Sequence, residues 1–288
     1  MNSDAIKWLL EDNNPAVKYR TMTEILGESA DKEPVITWMN KSLPDDWTER
    51  KGLWSVYYLT AFAECGLNFE DIPSLNEKIK NFGSENYFGY GCADFMLLRA
   101  LVKLGYKTEV KKILETLDDY RLPDGGFICE RVRKKIGYIP KSCYKANIYA
   151  LFCAAECRKT FVCFPGEEEL IDYFFGRNIF YRRDESHALI MDGRPGWRII
   201  DTFNPFEPMR VGIHHVVETF CALGYGNDDR LTEAWNILNE KKDPDGKYIL
   251  NGTLTKSYLP KERVGKPSKW VTFYALLAQK ERSKIHEQ

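Results

Sequence analysis

The sequence contains no apolar run that approaches the roughly 20 residues needed to cross a bilayer. It also begins without the charged and then apolar leader of a secreted protein, because residues 1–12 carry only a short amphipathic stretch. We therefore expect a cytoplasmic protein with no transmembrane segment. Eight cysteines occur, but none forms a Cys-x-x-Cys pair, and in a reducing compartment their even number does not indicate disulfides.

An excess of either charge sign is absent as well. The 41 lysine and arginine residues nearly balance the 42 aspartate and glutamate residues, which leaves a net charge of -1. This balance excludes the basic footprint of a nucleic-acid-binding protein. The sequence also lacks Gly-x-Ser-x-Gly, a phosphate-binding glycine-rich loop and His-Glu-x-x-His, so these common catalytic and nucleotide-binding signatures do not occur.

Glycine is distributed with a regular spacing. Gly27, Gly66 and Gly105 each follow an apolar segment and lie 39 residues apart, and Gly224 lies 119 residues further on, close to three more steps. A repeat of this length is typical of stacked helix pairs. Glycine favours the position after a helix because it adopts the left-handed conformation at little steric cost. The unbroken repeat predicts a single domain over residues 1–288.

Hydrophobic periodicity predicts two types of helix. The segments 108–118 and 229–240 carry apolar residues on one face and polar residues on the other, as half-buried helices do. The segments 92–104 and 268–281 contain runs that are apolar nearly all round and must be buried on most sides. About twelve helices that alternate in this way predict an all-α fold. We expect an α/α toroid (α6/α6 barrel) of about six helix pairs, with an inner buried ring and an outer amphipathic ring.

The turns repeat as well as the helices. Pro123-Asp-Gly-Gly-Phe127 and Pro244-Asp-Gly-Lys-Tyr248 share a glycine turn followed by an aromatic residue, and each precedes a further helix start. These turns resemble the Gln-and-Trp repeat of the prenyltransferase and squalene-cyclase (terpenoid cyclase-type) superfamily of α/α toroids. The segment 265–272, Gly-Lys-Pro-Ser-Lys-Trp-Val-Thr, resembles the last inner helix of small stand-alone members. The resemblance covers residues 14 to 279.

The resemblance implies a central cavity for an apolar, isoprenoid-like molecule, and it is more specific for fold than for reaction. Triterpene cyclases of this superfamily protonate their substrate with an Asp-x-Asp-Asp cluster, which this sequence lacks. Protein prenyltransferases of the same fold hold zinc with an Asp-x-Cys pair and a later histidine, whereas this chain has Cys92-Ala-Asp94 in the reverse order. Whether the protein is an enzyme therefore stays open.

In a toroid the inner helices begin at one rim of the cavity, so residues at their starts converge. Basic residues beside exposed helix amides would hold an anionic head such as a diphosphate, and aromatic residues would line an apolar pocket. Asp94 and the inward member of the His214 and His215 pair would carry protons. The alternative is that these residues are solvated, core or capping residues. The predicted binding residues are Trp54, Tyr58, Tyr144, Lys145, Arg210, Lys269 and Trp270, and the predicted catalytic residues are Asp94 and His214.

Three cysteines suggest zinc as a cofactor. Cys92, Cys129 and Cys143 would supply thiolates to one tetrahedral ion, with Asp94 or His214 as the fourth ligand, because zinc accepts sulfur, nitrogen and oxygen donors. Cys129 belongs to the turn just before the helix of Cys143. The alternative is that all three are packed cysteines, since free cysteine behaves as a small hydrophobic residue.

The leading hypothesis is a prenyltransferase- or squalene-cyclase-like protein whose cavity binds an apolar, isoprenoid-like or anionic-headed small molecule. A second is a non-catalytic helical scaffold that presents the irregular segment 176–208 to a protein partner through Tyr181, Phe203, Phe206 and Met209. A third is a zinc enzyme that acts on thiol or peptide substrates. The sequence leaves open whether the cavity is filled and whether the protein self-associates.

Overall fold

The computed structural model describes residues 3–44, 53–73, 91–129, 138, 141–207, 209–254 and 259–284. In this part of the chain the regular secondary structure is helical, with eleven α-helices, and the β pairing consists of isolated bridges. The predicted all-α class is therefore confirmed. No helix within these residues is both long enough and apolar enough to pass through a membrane.

The helices are numbered in chain order. They are α1 (Ser3–Leu9), α2 (Pro15–Arg20), α3 (Glu33–Ser42), α4 (Leu53–Glu64), α5 (Cys92–Leu104), α6 (Lys107–Leu114), α7 (Tyr144–Lys159), α8 (Glu167–Phe175), α9 (Ile213–Ala222), α10 (Thr232–Asn239) and α11 (Lys269–Lys284). A π-helical turn at Thr21–Leu26 continues α2, and short 3-10 helices lie at Leu117–Tyr120 and Asp229–Leu231.

The chain divides into two compact units by its backbone contacts. Unit 1 comprises Met1–Pro44 and Asn178–Gln288, and unit 2 comprises Asp45–Arg177. The closed toroid and the single domain over residues 1–288 stay predictions.

Unit 2 is built around three buried helices. α5 packs against both α4 and α7, and its residues 95–104 are buried almost without interruption, as the sequence predicts. α6 and α8 keep a polar, exposed face and pack against α5 and α7 respectively. The inner helices share a largely buried ion cluster, in which Arg99 and Lys103 of α5 contact Glu64 of α4 and Glu156 of α7.

Four helical segments are followed by a glycine with positive φ, at the positions that the glycine spacing predicts. Gly27, Gly66, Gly105 and Gly224 have φ of 75°, 79°, 96° and 88°. The end of α7 departs from this pattern, because Phe161 takes a φ of 60° there and is 92% exposed. A phenylalanine in this conformation is strained, since its Cβ crowds the backbone.

Unit 1 contains two buried helices, α9 and α11, which pack against each other. Residues 213–221 of α9 and residues 269–278 of α11 are buried. α10 buries one face and packs against α9, while α1 and α2 pack against α11. A long irregular segment, described over residues 178–207 and 209–212, leads into α9.

Candidate functional site

The segment before α9 presents an exposed tryptophan with two guanidinium groups against it. Trp197 is 38% exposed. The guanidinium carbon of Arg210 lies 3.4 Å from the centre of the Trp197 ring, and that of Arg194 lies 4.8 Å from it. Both distances are those of cation–π contacts, which stabilise an exposed pair by about 0.5–1 kcal/mol. We refer to these three residues as the arginine–tryptophan site.

Asp201 holds the turn that carries Trp197. Its buried carboxylate accepts hydrogen bonds from the N–H groups of Gly196, at 2.8 Å, and Arg198, at 2.9 Å. Gly196 has a φ of +82°, and a Cβ at this position would lie 2.9 Å from the carbonyl oxygen of Asn251. The turn therefore requires glycine for both its conformation and its space. A turn fixed in this way presents Trp197 on a rigid support.

Glu207 organises the chain just before Arg210. Its buried carboxylate accepts hydrogen bonds from the Thr253 hydroxyl, from the Leu254 N–H at 3.0 Å and from the Asn204 side chain at 3.4 Å. Burial raises the pKa of this carboxyl, while the three hydrogen bonds and the charge of Arg210 oppose the rise. The N–H of Arg210 donates to the Glu207 carbonyl oxygen at 3.4 Å. The contacts of Glu207 thus also fix the backbone of Arg210.

The chain's own carboxylates occupy the start of α11. The carboxylate of Glu262 accepts hydrogen bonds from the Ser268 hydroxyl and from the N–H of Lys269 at 2.7 Å. The buried ammonium of Lys269 lies 3.2 Å from the Glu11 carboxylate and 5.4 Å from the centre of the Trp8 ring. Burial lowers the pKa of Lys269, and Glu11 opposes that shift. The charge of Lys269, which was predicted to bind an anion, is therefore already paired with a carboxylate of unit 1.

The remaining predicted residues of unit 1 lie in its core. Trp270 is fully buried, with its ring centre 5.6 Å from that of Phe206. His214 and His215 have ring centres 4.3 Å apart, and the ring of His215 lies 4.6 Å from that of Tyr274. Both histidines are buried, and the role predicted for the inward one stays a prediction.

Unit 2 contains the predicted residues at the starts of α4, α5 and α7. The carboxylate of Asp94 accepts the N–H of the residue before α5 at 2.9 Å, so that it caps the helix. Tyr58 and Tyr144 are buried, and burial raises the pKa of Tyr144. Lys145 is half-buried. Trp54 belongs to α4, but its side chain lies outside the described residues.

The three cysteines predicted as zinc ligands lie near the start of α5. Cys129 packs against Gly91, where a Cβ would lie 3.0 Å from that of Cys129. Burial raises the pKa of the Cys92 thiol and so does Cys143, while Lys145 lowers it. Among the residues that the structure describes, however, no three histidine, cysteine, aspartate or glutamate side chains are arranged to hold a metal ion. The zinc hypothesis therefore gains no support.

Sequence reasoning found Arg210 but missed the two residues that complete its site. Trp197 and Arg194 lie in the irregular segment, which has no periodicity to interpret. One signal was present, because residues 194–198 read Arg-Pro-Gly-Trp-Arg, a turn dipeptide followed by an aromatic residue between arginines. The contact with Arg210 follows only from the tertiary structure.

Comparisons with known proteins leave the family open. No protein-family model, no curated protein and no solved structure matches this chain. The resemblance to the prenyltransferase and squalene-cyclase superfamily therefore stays a prediction.

Proposed function

We propose that the chain binds a small amphipathic molecule, with an anionic head and an apolar body, at the arginine–tryptophan site. The observation that carries this proposal is the 3.4 Å contact between the Arg210 guanidinium and the ring of Trp197, an indole that stays 38% exposed. A cation and an apolar surface are thereby combined at one site. Preorganised sites of this kind lose little free energy to ordering when a ligand binds.

Arginine supplies the recognition of the anionic head. A guanidinium is planar and always charged, and the donors at its edge match two oxygens of a phosphate or carboxylate at once. Stacking on an aromatic ring uses the face of the guanidinium. Arg194 is exposed and lies 4.8 Å from the same ring, so it adds a second positive charge.

Trp197 supplies the contact with the apolar body. A tryptophan side chain buries up to about 250 Å², so the 38% that is exposed amounts to at most roughly 95 Å². Covering that area stabilises a complex by about 2 kcal/mol at roughly 25 cal/mol per Å². The resemblance of the sequence to isoprenoid-binding toroids makes a prenyl diphosphate the first ligand to test. No reaction is assigned to the site.

The test is a calorimetric titration of the full chain with farnesyl diphosphate, with farnesol and with inorganic diphosphate. Farnesol has the body without the head, and diphosphate has the head without the body. We expect the complete molecule to bind at least tenfold more tightly than either fragment. Arg210→Ala and Trp197→Ala should each weaken binding about tenfold, because each removes one half of the recognition.

Arg263→Ala is the matched control, since it removes an exposed arginine of unit 1 from outside the arginine–tryptophan site. Its affinity for farnesyl diphosphate should equal that of the wild type. Equal binding by wild type and Arg210→Ala, or a loss of affinity in Arg263→Ala alone, would contradict the proposal.

The scaffold hypothesis loses two of its four contact residues. Phe203 and Phe206 are 2% and 1% exposed, so neither presents an apolar surface to a protein partner. Tyr181 and Met209 are half-buried. The irregular segment therefore offers a ligand site at Trp197 more than a broad apolar interface.

A further inference from the structure

A second concave surface of unit 1 lies between the start of α2 and α3. It is a groove of about 490 Å³, within the roughly 300–1,000 Å³ that is typical of ligand sites. The groove shares no residue with the arginine–tryptophan site, so its ligand is independent of the proposed function. Six of its lining residues matter here: Pro15, Asp31, Glu33, Pro34, Trp38 and Lys41.

The walls of the groove are stiff and partly apolar. Pro15 begins α2 and Pro34 lies in the first turn of α3, where the fixed φ of proline matches the helix. Trp38 is half-buried, and its part of α3 is anchored by Val35 and Met39, which are fully buried. The groove therefore offers two pyrrolidine surfaces and one indole surface without a large rearrangement.

Charges of opposite sign mark the two ends of the groove. Asp31 and Glu33 lie at the start of α3, where the Asp31 carboxylate accepts the N–H of Glu33 at 3.0 Å. Lys41 lies in the last turn of α3, and all three residues are exposed. Glu33 and Lys41 are eight residues apart, which corresponds to about 12 Å along a helix. A complementary ligand carries a cation and an anion at about that separation, with apolar surface between them.

We propose that this groove binds an extended, proline-containing peptide segment of a partner protein, with a basic residue at one end and an acidic residue three positions away. A polyproline II segment rises about 3.1 Å per residue, so three steps span roughly 9 Å. The long side chains of arginine and glutamate cover the remaining distance. Aromatic-lined grooves bind this conformation well because it is formed before binding and little entropy is lost.

Each end of the peptide has a defined partner in this arrangement. The basic residue pairs with Asp31 and Glu33, the prolines pack on Trp38, and the acidic residue pairs with Lys41. A charge at each end fixes both the position and the direction of the peptide, since reversing it would place like charges together.

The test uses two blocked tetrapeptides, acetyl-Arg-Pro-Pro-Glu-amide and acetyl-Arg-Pro-Pro-Arg-amide, titrated into the full chain and followed by NMR. The wild type should bind the first peptide at least fivefold more tightly than the second. In Lys41→Glu this preference should reverse, because the side chain at position 41 then attracts a basic residue of the peptide instead of an acidic one. Trp38→Ala should weaken the binding of both peptides, with an unchanged melting temperature as evidence that the variant is folded.

Lys266→Glu makes the same change of charge at an exposed position outside the groove, and it should keep the wild-type preference. Three results would overturn the proposal: no saturable binding of either peptide at millimolar concentration, an unchanged preference in Lys41→Glu, or a reversed preference in Lys266→Glu. The last result would show that overall charge, and not the groove, decides the binding.

Discussion

Phe127 and Tyr248 hold equivalent positions in the two units. The N–H of Phe127 donates to the side-chain oxygen of Asn147 at 2.6 Å, and the N–H of Tyr248 donates to the hydroxyl oxygen of Thr272 at 2.8 Å. Both acceptors lie in the first turn of an inner helix, α7 in one case and α11 in the other. Each Pro-Asp-Gly turn is thereby tied to the helix that follows it.

The carbonyl groups of the two aromatic residues repeat this relationship. The carbonyl oxygen of Phe127 accepts the N–H of Cys143 at 2.8 Å, and that of Tyr248 accepts the N–H of Ser268 at 2.8 Å. Cys143 and Ser268 each precede the acceptor side chain by four residues. The same turn with the same hydrogen bonds thus occurs once in each unit, so the repeat seen in the sequence of the two turns extends to their structure.

Thr272→Val tests how much the turn of unit 1 contributes to stability. Valine keeps the shape of threonine but cannot accept a hydrogen bond, so the buried N–H of Tyr248 loses its partner. We expect a loss of about 1–3 kcal/mol in the free energy of unfolding, measured by urea denaturation. Thr37→Val makes the same change at an exposed position of α3 and should cost less than about 0.5 kcal/mol. Equal midpoints for the two variants would show that this hydrogen bond contributes nothing.

The buried ion cluster of unit 2 predicts a dependence of stability on pH. Burial alone raises the pKa of Glu156, but Lys159, Lys103 and Arg99 lower it, and the resulting pKa is about 2 against an ordinary 4.5. Because the folded pKa is the lower one, the unfolded chain binds more protons between these values. The contribution of Glu156 is therefore fully present above pH 4.5 and is lost as the pH falls towards 2. The difference corresponds to about 3 kcal/mol.

Glu156→Gln should remove this acid-sensitive part of the stability. At neutral pH the variant removes one of the two carboxylates that contact Arg99 and Lys103, and we expect it to lose roughly 3–5 kcal/mol. Urea unfolding at several pH values between 3 and 7 measures both effects. Glu169→Gln, at an exposed position of α8, should follow the wild-type pH profile. If Glu156→Gln also keeps that profile, another carboxylate carries the acid sensitivity.

Phe161→Gly should stabilise the protein, although it removes a large apolar side chain. The side chain is 92% exposed, so little buried contact is lost, and the left-handed strain at φ 60° is relieved. Glycine has more freedom in the unfolded chain, which offsets part of the gain, and we expect a net increase of about 0.5–1 kcal/mol. The denaturant midpoint is the measurement.

Gly27→Ala is the reverse experiment. Gly27 has a φ of +75° and open space around the position of a Cβ, so the substitution adds conformational strain and no steric clash. Gly27→Ala should lower the free energy of unfolding by about 1 kcal/mol.

A Phe161→Gly variant that is less stable than the wild type would mean that the exposed ring makes contacts that stabilise unit 2.

Local sequence patterns predict the helices well where burial is complete. The predicted segment 92–104 coincides with α5, because its apolar run is continuous and Gly105 ends it. The predicted segment 268–281 is close to α11, which extends to Lys284. Irregular segments give no such signal, so the segment 176–208 could be recognised only as a long loop.

The contacts that define the sites depend on residues far apart in sequence. Glu11 reaches Lys269 across 258 positions, and Asn251 packs against the glycine that shapes the turn of Trp197. Sequence analysis placed basic and aromatic residues at helix starts but could not know which carboxylates would neutralise them. The positions of Lys269 and Asp94 were therefore predicted correctly as helix starts, while their partners came from tertiary structure.

Lys269→Met tests whether the basic residue at the start of α11 binds an external anion or only pairs with a carboxylate of the chain itself. The ammonium of Lys269 already contacts the Glu11 carboxylate at 3.2 Å and is buried, so it adds little to the attraction of an external anion. Methionine keeps the apolar packing, and Glu11 is exposed enough to be solvated, so we expect stability to change by less than about 1 kcal/mol. The affinity for farnesyl diphosphate should stay within twofold of the wild type, while Arg210→Ala loses about tenfold. A tenfold loss in Lys269→Met with none in Arg210→Ala would place the ligand at the start of α11 instead of at the arginine–tryptophan site.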